Sequence, residues 1–284
     1  MARGSEIFMV KNLTKAILPI LLFCVFFAAS CNIDFLGFFA SSDLDERLAE
    51  RDNFRFLTNS DRRPQFGNEY QFLVFTDTHI EDGNTFDLEK LSDVFENNSQ
   101  IKFAVALGDI TSYGSEQDIK KFIDIAEMFN VPCYPVIGNH DVYFGNWSAW
   151  KEQIGSTNYR IDGDGTTLFI LDTANSFFGK EQLDRLEREL KGVGGHVFIF
   201  THSNLFVTGP VNMQQITDTK ERARIISILR NKCDIMFMGH LHKRLINETG
   251  NVRYINIEDF NSTHTYCLVS VKNSGVTYTF EKLF

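Results

Sequence analysis

The sequence predicts an α/β fold, on three observations. From Tyr70 onward, short apolar runs alternate with segments of helical periodicity. That β–α–β–α–β order implies parallel strands joined by helical crossovers. The runs are short and bounded by polar loops, as buried strands are. After His242 the pattern changes to strands joined by short turns, which predicts an antiparallel end to the chain.

Taken in order, Gln71–Phe75 is the first strand. Phe86, Leu88, Leu91, Val94 and Phe95 fall at helical spacing and predict a helix. Phe103–Leu107 is the second strand, and Ile119, Phe122, Ile123, Ala126 and Phe129 line one face of the next helix. Pro132–Ile137 is a third strand, followed by a short helix over Trp147–Ile154. Tyr159–Ile161 and Thr167–Leu171 form a hairpin across Asp162–Gly165. That turn superficially resembles a calcium loop, but it lacks the distal Glu and the remaining ligands. A helix over Lys180–Leu190, a strand over Val197–Phe200, a helix over Thr219–Leu229 and a strand over Ile235–Met238 continue the alternation. Tyr254–Ile257, Tyr266–Val271 and Val276–Phe280 complete the strands. All of this reads as one domain over residues 70–284.

The N-terminus reads as a separate unit. Lys11 and Lys15 precede an apolar run from Ala16 to Ala29, broken by Pro19. It is shorter than the about 20 residues of a membrane-spanning helix and suits a signal sequence. Ala28-Ala29-Ser30-Cys31 resembles the lipobox of bacterial lipoproteins, with Ala28 where Leu is usual. Residues 1–30 are therefore expected as a lipoprotein-type signal, with an uncleaved anchor or an ordinary secretory signal as alternatives. The expected location is exported and membrane-anchored through lipidated Cys31. Residues 31–69 are expected to be a tether. Phe35, Leu36, Phe38 and Phe39 would either stay near the bilayer or begin the globular domain. A short exposed helix is expected between Ser41 and Asn53, capped by Ser42 or Asp43.

The chain has 284 residues, 43% of them hydrophobic, and a formal net charge of −9. That charge argues against a nucleic-acid surface built on Lys and Arg. An anionic substrate would need a local positive site, which bound metal ions could supply. Cys133, Cys233 and Cys267 sit in apolar settings and read as buried thiols. No CxxC pair is present.

Five fragments at strand ends carry the chemistry: Asp77-Thr78-His79, Gly108-Asp109, Gly138-Asn139-His140-Asp141, Thr201-His202 and Gly239-His240-Leu241-His242. Alone, Asp-x-His is usually a surface pair and Gly-Asp a turn. Sites in α/β sheets gather at the carboxyl ends of parallel strands, so all five are expected on one rim. Asp77 and His79 are two apart on a chain leaving a strand, so both side chains should point one way. Asp109 has two carboxylate oxygens and could bridge two cations, with Gly108 leaving room beside it. Asn139 offers an amide oxygen, and His202, His240 and His242 offer imidazoles. A mixed oxygen and nitrogen shell suits Mn, Fe or Zn better than Ca. His196, in a Gly-rich turn into a strand, reads as a solvated loop residue, and His264, at the start of a late strand, as a surface or supporting residue. Tyr143, Phe144, Trp147 and Trp150 read as packing, with stacking on a substrate as the alternative.

Together these fragments resemble the calcineurin-like metallophosphoesterase superfamily, over about Phe72 to His242. The resemblance implies two stacked mixed β-sheets flanked by helices, a four-layer αββα sandwich. It implies Asp77, His79, Asp109 and His242 on one divalent metal, and Asp109, Asn139, His202 and His240 on a second. It places His140 toward the substrate rather than on metal, and His140 and Asp141 are the expected catalytic residues, with Asp141 or Ser112 as candidates to orient His140. The implied reaction is in-line attack of a metal-bridging hydroxide on a phosphate ester. Phosphomonoesters or phosphodiesters both fit, with nucleotide-type diesters favoured by the Gly-His-x-His ending. The alternatives are protein Ser/Thr phosphatase activity and a surface lipoprotein that binds without catalysis. Relatives often carry Asp or His at the position of Ser112 and Pro at that of Asn204. The arginines of the protein phosphatase subgroup are not found beside Asp109 or His140. The segment Ser203–Thr217 is expected as a wall of the substrate cleft.

Overall fold

Eleven strands in two sheets organise the described residues of the computed structural model, which are 44–206 and 215–284. The signal, Cys31, the aromatic residues up to Phe39, most of the Ser203–Thr217 segment and the Phe144 side chain lie outside the described residues. The strands are β1 Tyr70–Phe75, β2 Ile101–Leu107, β3 Cys133–Val136, β4 Tyr159–Gly163, β5 Thr166–Ile170 and β6 His196–Phe200. They continue as β7 Ile235–Met238, β8 Leu245–Thr249, β9 Val252–Asn256, β10 Thr265–Lys272 and β11 Gly275–Lys282. The helices are α1 Leu44–Ala49, α2 Leu91–Asn97, α3 Glu116–Ala126, α4 Trp147–Gln153, α5 Lys180–Glu189, α6 Thr219–Leu229 and α7 Phe260–Thr263.

The first sheet runs β11-β10-β1-β2-β3 and the second β4-β5-β6-β7-β9-β8. Both are mixed. β1, β2 and β3 are parallel, with β10 antiparallel to β1. β5, β6, β7 and β9 are parallel, with β4 and β8 antiparallel at the edges.

Strand alternation builds the layers. Phe72, Val74, Phe103, Val105 and Leu107 face Phe198, Phe200, Ile235 and Phe237 between the sheets. Leu73, Phe75, Ala104 and Ala106 face the other way, onto Leu91, Phe95, Ile119, Phe122 and Trp150 of α2, α3 and α4. Ile199, Met236 and Met238 meet Leu183 and Leu186 of α5 and Ile225 and Leu229 of α6. Strands covered on both faces have no polar side, hence the uniformly apolar runs.

Three of the differences between the structure and the sequence expectations bear on the site and its support. β8, with its half-exposed alternating pattern, was not expected, and it supplies the antiparallel partner of β9. β9 itself enters parallel to β7, so the antiparallel change is not uniform after His242. Residues 44–69 are not an exposed tether. Leu44, Arg47 and Leu48 of α1 are buried, and Leu57 and Phe66 belong to the core between the sheets. Arg47 explains the packing of α1: its guanidinium grips Asp172 through Nε and Nη2, with no solvent exposure at either side chain.

Candidate metal centre

All five fragments lie just beyond the C-terminal ends of β1, β2, β3, β6 and β7. The loops after β1 and β2 are zipped together. The N–H groups of Asp77, His79 and Ile80 donate to the carbonyls of Gly108, Asp109 and Ile110. This holds Asp77 and Asp109 at neighbouring points on the rim.

The backbone there is unusual. Asp77, His79, Asp109, His240 and His242 all have positive φ, between 47° and 69°. Non-glycine residues adopt this region in only a few per cent of cases, and such strain concentrates at functional sites. Asp77 and His79 do approach each other, with Nε2 to Oδ1 3.8 Å apart. The cause is this pair of left-handed kinks, not the alternation of an extended strand.

Two clusters result. Ligand atoms of Asp77, His79 and His242 lie within 4.8 Å of one another, as do those of Asp109, His202 and His240. His242 Nε2 is 3.1 Å from Asp77 Oδ1 and 3.4 Å from His79 Nε2. His202 Nε2 is 3.1 Å from Asp109 Oδ2, and its Nδ1 is 3.0 Å from the Leu107 carbonyl. His79, Asp109 and His140 form a third such group, which joins the first two. Asn139 is buried on the loop after β3, and its Nδ2 donates to the Tyr143 hydroxyl at 3.0 Å.

Glycines make this closeness sterically feasible. A Cβ on Gly108 would come 2.5 Å from His202 Nδ1, and one on Gly138 would strike the backbone nitrogen and Oδ1 of Asp109. The second and third fragments therefore need glycine before their polar residues for space as well as for turning.

Charge is arranged in pairs. Burial opposes ionisation of Asp77, but the hydrogen bond from His242 and the charges of His202 and His242 hold it below the usual carboxylate range. Burial opposes ionisation of Asp109 too, yet the charges of His202 and His140 keep it well below that range. Burial disfavours charge on His202, but the charge and hydrogen bond of Asp109 push it up to about 9. His242 also overcomes burial, through its hydrogen bond to Asp77, and reaches about 9. His240 is pushed down to about 4 by burial and by the charge of His202. It is therefore a neutral imidazole, the form that binds metals.

The donor set fits a pair of divalent cations. Its members are two anionic carboxylates, four imidazoles and an amide, the mixed shell that suits Mn, Fe or Zn. His240 Nε2 is buried without a hydrogen-bond partner among the described residues, beside Asp109 and His202. An orphaned imidazole nitrogen in a dry cluster is costly unless something binds it.

His140 and Asp141 part company. His140 keeps a quarter of its side chain exposed (24%), with Nε2 3.9 Å from Asp109 Oδ2. Its Nδ1 lies 2.9 Å from the backbone carbonyl of Ser112. The orienting group is thus a main-chain oxygen, since the Ser112 hydroxyl instead donates to the His79 carbonyl. Asp141 is fully buried, and its carboxylate accepts from the N–H groups of Ile110, Thr111 and Gly138 and from the Thr111 hydroxyl. Burial and the charge of Asp109 push its pKa up to about 6. It ties the second fragment to the third, a structural place rather than the catalytic one expected of it, and the group that meets His140 Nδ1 is the Ser112 carbonyl.

Sequence reading missed several supports. Thr76 Oγ1 donates to Asp77 Oδ2 at 2.7 Å, and the His240 N–H donates to the same oxygen at 3.0 Å. Asn256 Nδ2 donates to the Gly239 carbonyl. The His240 and Asn256 bonds act across the rim, and a Thr next to an Asp carries no signal of its own. His196 opens β6 beside Asp234 rather than sitting in a solvated loop. His264 follows α7 in a left-handed conformation, 3.5 Å from Asp87. Trp147, Trp150 and Tyr143 are buried, and Asp162–Gly165 closes the β4–β5 hairpin.

The family model described as calcineurin-like phosphoesterase matches residues 70–244. A probable cyclic nucleotide phosphodiesterase of Fibrobacter succinogenes is 27% identical over 157 residues, 53% of this chain and 61% of that protein. The match thus spans less than two thirds of that relative's length. A 3',5'-cyclic adenosine monophosphate phosphodiesterase of Haemophilus influenzae is 21% identical over 198 residues, 63% of this chain and 72% of that one. Among solved structures, a dimetal phosphatase from Danio rerio matches with a TM-score of 0.62 at 13% identity. It covers 76% of this chain and 96% of its own, a likeness of fold.

Proposed function

The chain belongs to the calcineurin-like phosphoesterase family, and from that membership we propose that it is a two-metal phosphodiesterase acting on nucleotide-type phosphate esters. The observation that carries the proposal is the pair of ligand clusters, Asp77, His79 and His242 beside Asp109, His202 and His240. Asp109 would serve both ions, and Asn139 would complete the second. Phosphodiesterase names on two relatives support the diester preference.

Bound in this way, divalent cations would polarise phosphoryl oxygens and acidify water. The chain's own residues supply the rest. The Ser112 carbonyl accepts from His140 Nδ1, which fixes the tautomer and leaves Nε2 for the substrate. With Nδ1 donating to that carbonyl, delivery of a proton from Nε2 to the leaving oxygen would require the doubly protonated ring, which then returns to the neutral form with Nδ1 still protonated. Burial of Asp77, Asp109 and His202 excludes water from the base of the site and strengthens its electrostatics.

The test is a panel of esters with Mn(II): 3',5'-cyclic AMP, bis(p-nitrophenyl) phosphate, p-nitrophenyl phosphate and a phosphopeptide. Faster turnover of the diesters supports the proposal, and preference for the phosphopeptide overturns it. We also propose that Cys31 is lipidated and anchors the protein at the membrane. Loss of membrane association on Cys31→Ser supports that, and unchanged association refutes it.

A further inference from the structure

Tyr143 contacts the candidate centre twice without being a candidate ligand. Its ring centroid is 4.4 Å from that of His140, at an interplanar angle of 50°. Its hydroxyl accepts the hydrogen bond from Asn139 Nδ2 at 3.0 Å. The side chain is fully buried. Local structure explains the double contact. His140–Gly145 is a 3-10 turn with Asn139 at its N-cap, and side chains three apart eclipse on such a turn. Tyr143 is three residues beyond His140 and four beyond Asn139, so its ring packs on one and its hydroxyl reaches the other.

We propose that Tyr143 is a positioning residue: its hydroxyl fixes the Asn139 amide so that the carbonyl oxygen is presented to a cation held with Asp109, His202 and His240. This rests on the metal-centre reading above. A primary amide has a carbonyl end and an amino end that diverge from one carbon. A cation binds the oxygen and is repelled by the NH2 group. The Asn139 N-cap makes no side-chain capping bond that would set its amide plane. The bond to Tyr143 contributes such a constraint. Partners of this kind, one bond removed from a metal, typically change affinity by about 10–100-fold when lost. The same ring limits how His140 can tilt, so one residue serves an expected ligand and the expected proton donor.

The experiment is a chelator-competition titration of Mn(II) on wild type, Tyr143→Phe, Asn139→Ala and the double variant, with thermal melting as a check on folding. Tyr143→Phe keeps the ring and removes only the hydroxyl. The expected result is an unchanged first binding constant and a second one weakened about 10–100-fold. In the Asn139→Ala background, removing the hydroxyl should then have no further effect. An unchanged second constant in Tyr143→Phe overturns the proposal, as does a full additional loss in the double variant. Fewer than two Mn(II) bound by wild type would remove the metal-centre reading and this inference with it.

Discussion

Arg47 and Asp172 form a fully buried, two-pronged ion pair, Nε to Oδ2 2.7 Å and Nη2 to Oδ1 2.9 Å. It fastens α1 to the loop that follows β5. Next in that loop, the Thr173 hydroxyl meets the Thr201 hydroxyl at 2.7 Å and accepts from the Ser203 N–H at 2.9 Å. His202 lies between those two residues. The segment before β1 is thus connected through Asp172 and Thr173 to the strand end that carries a candidate ligand.

Arg47→Met should destabilise the protein strongly. Removing one partner of a buried pair leaves an uncompensated charge, at a cost of about 3–5 kcal/mol. Urea unfolding measures it. A loss below about 1 kcal/mol would show that Asp172 finds another partner or water.

His140→Ala should spare metal binding and reduce turnover by about 10²–10⁴-fold on esters with poor leaving groups. The reduction should shrink when the leaving group is already acidic. Paired assays on alkyl and p-nitrophenyl esters check this. Equal losses on both would show that His140 does not deliver a proton.

Gly138→Ala should cost metal binding and stability together. The added methyl meets the Asp109 backbone nitrogen and Oδ1, neither of which can move without disturbing the rim. Overpacking of this kind typically costs about 1–3 kcal/mol. Mn(II) titration and thermal melting report both losses. Wild-type behaviour in both would mean that the rim yields more easily than its backbone hydrogen bonds suggest.

Metal affinity should rise with pH through the neutral range and level off above about 9. His202 and His242 are raised to about 9, so both carry protons at neutral pH. A cation must displace those protons, and each displacement weakens binding as pH falls. Calorimetry of Mn(II) binding in buffers of different ionisation enthalpy counts the protons released. Release of none at pH 7 would contradict the displacement of protons from these two imidazoles by the cation.

The stacked-sheet fold was legible because strands covered on both faces leave uninterrupted apolar runs, as in Phe72–Phe75 and Ile235–Met238. The rim was legible because each motif follows such a run. Other features left no local trace. β8 is a half-exposed edge strand whose residues Asn247 and Glu248 give no strand signal. Arg47 sits among acidic residues in a short helix, which reads as solvent-facing until Asp172, distant in sequence, is brought to it. Asp141 resembles a catalytic carboxylate beside His140. Its real partners are backbone N–H groups, which sequence does not mark. The left-handed backbone at Asp77, His79 and His242 is equally silent, since nothing distinguishes an aspartate or histidine that must adopt it.

The most direct measurement is the number of Mn(II) ions retained per chain after gel filtration, by elemental analysis, in wild type and in Asp109→Ala. Two in wild type, and loss of at least one together with diester hydrolysis in the variant, is the predicted result. Retention of both ions by Asp109→Ala, or hydrolysis that survives there undiminished, would contradict a centre built around that carboxylate.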